Sequence, residues 1–194
     1  SAVAALAGRA ILAPVRDGEF TELVGLTQRA SARPWPEPPP LDPSLAAPFV
    51  PKPLRRDLAE GRADYLAELR TAVPLFLRFE GPPFGRDPEA APKLDAFVRW
   101  AQDVLESHGG LLIGVNLGDK GSYLNGAFGA PITHEDDAAR AVAAASVLVA
   151  PPASLPWIRN LGAGLGRGRM RAGTIGASMR RTYAVLGHQG NLAA

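Results

Sequence analysis

The chain has 194 residues, 46% of them hydrophobic, enough for one domain plus an extension or for two small domains with a buried core. Basic and acidic residues nearly balance, 21 against 19, and no basic run is dense enough for a nucleic-acid arm. The absence of cysteine excludes disulfides, thiolate catalysis and sulfur-ligated zinc, and leaves a cytoplasmic location as the default.

The opening "SAVAALAGRAILAP" is apolar, but Arg9 and Pro14 interrupt it well short of a membrane-spanning length. No basic flank precedes it, so neither an anchor nor a signal peptide is expected. From Ser31 to Pro53 the sequence concentrates about half of the chain's 19 prolines, which remove backbone donors and hold the chain extended. This reads as a spacer packed along a surface, or as a ligand for a proline-binding module. Leu41, Leu45, Phe49 and Val50 give a neighbouring domain apolar groups to bury. Over Pro53 to Arg70, charges alternate with Leu54, Leu58, Tyr65, Leu66 and Leu69, which predicts an amphipathic helix broken near Gly61. Residues 1–72 therefore read as a proline-rich connector with a short amphipathic helix, and 73–194 as the globular domain.

That domain opens on "VPLFLRFEG", an apolar run ended by glycine and proline, which predicts a core strand. Asp87 to His108 carries Leu94, Phe97, Val98, Ala101, Val104 and Leu105 at helical spacing, and the glycines of "HGG" stop it. Two strands follow, Leu111 to Val115 and Tyr123 to Phe128, joined by a turn containing Gly118, Asp119 and Gly121. Thr133 and Asp136 resemble a capping box at the start of an alanine-rich helix, Asp136 to Ala150. A glycine-punctuated strand from Leu161 to about Ile175 and a last strand, Thr182 to Leu186, complete the order. The order implies an α+β fold with a ferredoxin-like, palm-type antiparallel sheet and helices packed on one face.

Several local clusters have structural explanations. "HEDDAAR", His134 to Arg140, gathers an imidazole and three carboxylates, but helix starts attract acidic residues through capping and the dipole alone. "GAGLGRGR" lacks the strand-to-helix setting of a dinucleotide cradle, and "GVNLGDKG" ends in glycine where a phosphate loop needs Ser or Thr. His108, His134 and His188 all fall at turns and helix ends, so no hydrolytic triad can be assembled from them.

At "GDKGSYLNGAFGAPITHEDDAARAVAAA" and "RAGTIGASMRRTYAVLGHQGNLAA" the chain resembles a class III nucleotidyl cyclase domain. The form "LGDKGSYLNGAFG" is similar to the second cyclase domain of tandem soluble adenylyl cyclases, and the lead-in resembles the connector between their two domains. The family closes ATP to cyclic AMP and pyrophosphate between two paired domains, using two metal ions held by two carboxylates. Those positions align here with Arg78 and Ser122, neither of which suits a magnesium ion.

The resemblance therefore implies the complementary half of an adenylate cyclase. It holds no metal or other cofactor itself, Mg2+ or Mn2+ being expected in the paired domain. Its partners are another class III cyclase domain and ATP, with no nucleic acid and no membrane. Asn191 matches the family asparagine that orients the ribose, and Ala184 and Val185 fall where the base is met, so base selection would rest on backbone and shape. The family's transition-state arginine would follow Ala194 directly, so the domain reads as truncated there. Lys120 is assigned to nucleotide or a small anion in the second, degenerate pocket, or is a solvated turn residue. The alternative is a catalytically inactive pseudo-cyclase that serves regulation or dimerisation.

Overall fold

A computed structural model describes residues 8–13, 22–28, 34, 36, 39–60, 67–83, 85–118, 121–177 and 180–194. The chain separates into two compact units, Ser1–Asp42 and Pro43–Ala194. In the first, strands β1 (Ala10–Leu12) and β2 (Leu23–Leu26) pair antiparallel, and the Thr27 hydroxyl donates to the Gly8 carbonyl at 3.1 Å. The apolar opening thus supplies one strand of a hairpin.

The second unit begins with a short helix α1 (Pro43–Ala46), a single 3-10 turn, and helix α2 (Lys52–Ala59). The long helix expected through Arg70 is therefore shorter. Tyr65 and Leu66 lie outside the described residues, and Glu68 to Arg70 already belong to strand β3 (Glu68–Glu80). Leu45 and Phe49 of the connector are 63% and 88% exposed, so this chain does not bury them.

The domain then runs β3, α3 (Ala90–Ser107), β4 (Leu111–Gly118), β5 (Gly121–Phe128), α4 (Asp137–Leu148), β6 (Arg159–Leu165), β7 (Gly168–Ala177), β8 (Arg180–Leu186) and α5 (His188–Ala193). The glycine-punctuated segment is two strands rather than one, parted at Gly166 and Arg167. All pairings are antiparallel in the order β4-β5-β3-β7-β8, with β6 on the C-terminal half of β3.

Strand alternation sends Leu75, Leu77 and Phe79 to one face, where α3 and α4 cover them. Helix α3 buries Phe97, Ala101, Val104 and Leu105 along one stripe, and the Phe97 ring meets Phe79 at 4.7 Å. Each such side chain contributes about 1.5–3 kcal/mol by leaving water. Helix α4 buries Ala141, Ala144 and Ala145, whose small size lets its backbone sit close to the sheet.

The cap of α4 differs from the expected box. The Thr133 hydroxyl donates instead to the Gly129 carbonyl at 3.0 Å, and the Asp137 carboxylate accepts the His134 amide at 3.0 Å. The reach-back bond of a capping box is made, one residue later than the sequence pattern placed it.

Gly129, in the "FGAP" turn, has φ of +82° and its position leaves no room for a Cβ, which would meet the Thr71 carbonyl at 2.8 Å. Glycine is required there on both counts.

The short α5 lies against the other face of the sheet. A Cβ at Gly164, which pairs with Phe76 and shares its face, would fall on the Ala193 backbone, and one at Gly166 would meet the Gln189 carbonyl at 2.6 Å. The glycines are a track that lets the helix dock, burying Ala193 and Met170.

Candidate nucleotide site

Beyond the end of α5 the even-numbered face of β3 opens. Phe76 is half-buried, while Arg78 and Glu80 are exposed. Opposite them on β5 stand Asn125 and Tyr123, and on β6 stand Gly164 and Gly162. The rings of Phe76 and Tyr123 lie 5.6 Å apart, tilted by 44°. Asn160, at φ +49°, turns its amide to donate to the Glu80 carboxylate at 2.7 Å. A Cβ at Gly162 would meet nothing within 4 Å, so the floor beside Arg78 is free of side chains. The result is a shallow cleft with a cation and an aromatic pair on its floor.

The register sets Arg78 opposite Tyr123 and Ser122 opposite Phe79. Alternation therefore directs Arg78 to the open face and half-buried Ser122 to the other. Among the described residues no group of three or more His, Asp or Glu side chains is placed to hold a metal ion. With a guanidinium at one position and a hydroxyl on the opposite face at the other, these residues do not fit a divalent cation.

Asn191 is exposed on α5. That helix runs along the glycine track from Gly168 towards Gly164, with Gln189 over the first and Ala193 over the second, so its C-terminal end faces the Arg78 end of β3. Ala184 and Val185 are half-buried on β8, paired with Gly173 and Ala172, and Gly187 joins that strand to the helix. Burial pushes the neighbouring Tyr183 phenol up. The structure thus places Ala184 and Val185 on the edge strand that leads into α5 and Asn191, with the Val185 side chain on the α5 face and that of Ala184 on the other.

Lys120 lies outside the described residues. The strand ends that flank it, Gly118 and Gly121, are paired with each other beside the Phe79 end of β3. Strand β8 stands three strands away from β5, on the order of 14 Å at ordinary strand spacing, and Ala184 pairs with Gly173 of β7, level with the Glu68 end of β3.

The "HEDDAAR" segment is structural. The Arg140 guanidinium donates to Asp136 at 2.6 Å and holds its carboxyl below the usual range, and Asp137 is occupied by the His134 amide and ring. Sequence reasoning missed Phe76, Tyr123, Asn125 and Glu80, although the alternation of β3 around Arg78 carried a signal for the even face.

No family model matches the sequence, and no curated protein matches it. Solved structures do. A bacterial light-regulated adenylyl cyclase superposes with a TM-score of 0.61 at 16% identity over 77% of this chain and 46% of that one. The guanylyl cyclase Cya2 matches with a TM-score of 0.51 at 27% identity over 66% and 70%. A non-canonical dimeric guanylyl cyclase domain of the RhoGC fusion protein from the aquatic fungus Blastocladiella emersonii matches with a TM-score of 0.52 at 18% identity over 66% and 73%.

The fold is that of a class III nucleotidyl cyclase catalytic domain: an α+β domain with a curled antiparallel sheet and helices packed on it. The chain spans about half the length of the light-regulated enzyme, 46%. No helix among the described residues is long and apolar enough to cross a membrane.

Proposed function

We propose that this domain is the metal-poor, complementary half of a class III adenylate cyclase. The observation that carries the reading is Arg78 on the open face at the position of a metal carboxylate, with Asn191 exposed on α5. A domain so built has groups to orient a nucleotide and, among the described residues, no group of three or more side chains placed to hold a metal ion. Mg2+ or Mn2+, where used, belongs to carboxylates of the paired cyclase domain.

In the reaction, the ribose 3′-oxygen attacks the α-phosphorus of ATP, the bond from that phosphorus to the bridging oxygen breaks, and pyrophosphate leaves. The Asn191 amide, reaching across a head-to-tail pair, hydrogen-bonds the ribose and sets the angle of attack. Ala184 and Val185, consecutive on β8, present their side chains to opposite faces, so one side chain and the strand backbone meet the base. Their side chains offer no carboxylate to satisfy the two N–H donors of guanine, which supports adenine. Lys120 is assigned to the second, degenerate pocket of the pair, where its ammonium would meet the nucleotide or a small anion. A pseudo-cyclase that binds and regulates without turnover is favoured by the same Arg78 and Ser122.

The test combines this chain, with a single arginine appended after Ala194, and a cyclase domain that carries both carboxylates. The pair is expected to make cyclic AMP and this chain alone none. Asn191→Ala should lower kcat by about 10- to 100-fold with the KM for ATP little changed. Turnover by this chain alone overturns the metal-poor reading, and an inactive pair that still binds ATP favours the pseudo-cyclase.

A further inference from the structure

The geometry points to a second binding site, for a small amphipathic anion, in a cavity between the connector and the cyclase domain. This cavity of about 420 Å³ is bounded by connector residues 48–53 and Arg55, the last turns of α3, the start of β4, and the loop of residues 130–134. None of its walls belongs to the cleft around Arg78 or to α5, so it is independent of the nucleotide reading. Its size falls in the range of small-molecule sites and is far above the single-water voids that close packing leaves.

Its walls resist collapse. Pro48, Pro51, Pro53 and Pro131 line it with fixed backbone. On the domain side Gly110 is already at the packing limit, since a Cβ there would lie 2.6 Å from the Phe128 ring. These prolines have no amide to offer, so an occupant's polar group must be met by side chains.

The side chains define the charge of that group. Glu106 is the carboxylate in the lining, and both its oxygens are taken, by the Gln102 amide at 2.8 Å and the Lys52 ammonium at 2.7 Å. His134 is engaged through Nδ1 with Asp137 at 3.2 Å. Arg55 is different. Its Nε donates to the Val50 carbonyl at 3.0 Å, which fixes the guanidinium plane, while its two terminal nitrogens make no bond among the described residues. The lining thus sets two cations, Lys52 and Arg55, against the one carboxylate of Glu106, which feels both charges, and leaves one positive charge in excess beside Val50, Leu111, Leu112 and Ile132, with exposed Phe49 at the mouth. An apolar body with one anionic group, an aromatic carboxylate or sulfonate, fits both features. Because its two walls come from the connector and the domain, an occupant holds one against the other.

The test uses the full chain and two dyes read by fluorescence: anilinonaphthalene sulfonate, and phenylnaphthylamine, which has the same rings without the charge. The sulfonate should bind with one molecule per chain. Arg55→Met keeps most of the stem and should weaken the sulfonate by about 10-fold or more, leaving the neutral dye unchanged and showing the cavity intact. Ile132→Trp, filling the space from its rim, should exclude both dyes. Sulfonate binding that survives Arg55→Met, binding that ignores Ile132→Trp, or loss of both dyes together in Arg55→Met would each overturn the assignment.

Discussion

The two halves of β3 share one backbone and differ in what covers them. Ala72, Val73 and Leu75 are at most 4% exposed and Pro74 between them is buried, because α4 lies over one face and α5 over the other. From Phe76 onward only the α3 and α4 face remains covered, and burial alternates between Leu77 or Phe79 and Arg78 or Glu80. From Ala72 to Leu75 every side chain answers to packing. In the second half, one face is released from that duty, and there the cation stands at the position where metal-competent relatives of this fold are expected to carry a carboxylate.

The sharpest way to break this comparison is to cut the face common to both halves. Leu77, fully buried, should lose about 2–5 kcal/mol of stability as Leu77→Ala, measured by urea denaturation. Gly164 and Gly162 then separate the covered from the open face, since they lie two residues apart on one face of β6. Gly164→Ala places a methyl on the Ala193 backbone and should cost about 1–3 kcal/mol, with α5 loosened. Gly162→Ala meets open space and should leave stability unchanged or raised by under about 1 kcal/mol. Equal losses at the two glycines would mean that α5 does not end where the cleft begins.

The smallest effect concerns the ion pair between Lys52 of the connector and Glu106 of α3. Hydrogen bonds from Gln102 and Lys52 hold the Glu106 carboxyl below its ordinary range. A depressed carboxylate stabilises the fold above its unfolded pKa, and that contribution is lost as pH falls through the folded value. Glu106→Gln should therefore lose under about 1 kcal/mol at neutral pH, since the pair is partly solvated, and the difference from the parent should vanish on acidification. A gap that persists in acid would show a steric rather than ionic role.

The strand at Val73 and the helix α3 were legible because apolar spacing and glycine stops act locally. Glu68 to Ala72 were not, since "ELRTA" follows a charged helical pattern and becomes strand only through pairing with β7, as in Arg70 opposite Met170. A further tie, from the Arg70 guanidinium to the Pro131 carbonyl at 2.6 Å, also spans distant sequence. The glycines of "GAGLGRGR" were legible as one strand, not as two strands or a helix track, because their reason lies in residues 189–193. The assignments of Asn191 and Arg78 rest on resemblance, whereas the faces that separate Arg78 from Ser122 required the register. The cavity left no sequence signal, because its walls come from three separate stretches of chain.

Strand β3 is the first of its sheet to leave the ribosome, and one of its edges is divided between β6 and β7. Hairpin β4–β5 can satisfy the opposite edge early, but this one stays bare until residues 159–172 have been made. Such distant pairing slows folding, and a naked edge invites strands from other nascent chains. The domain therefore cannot mature in halves: a ribosome-bound fragment ending before Arg159 would hold both long helices and still present an adhesive border. A chaperone holding that border would have to let go only when residues 159–172 arrive.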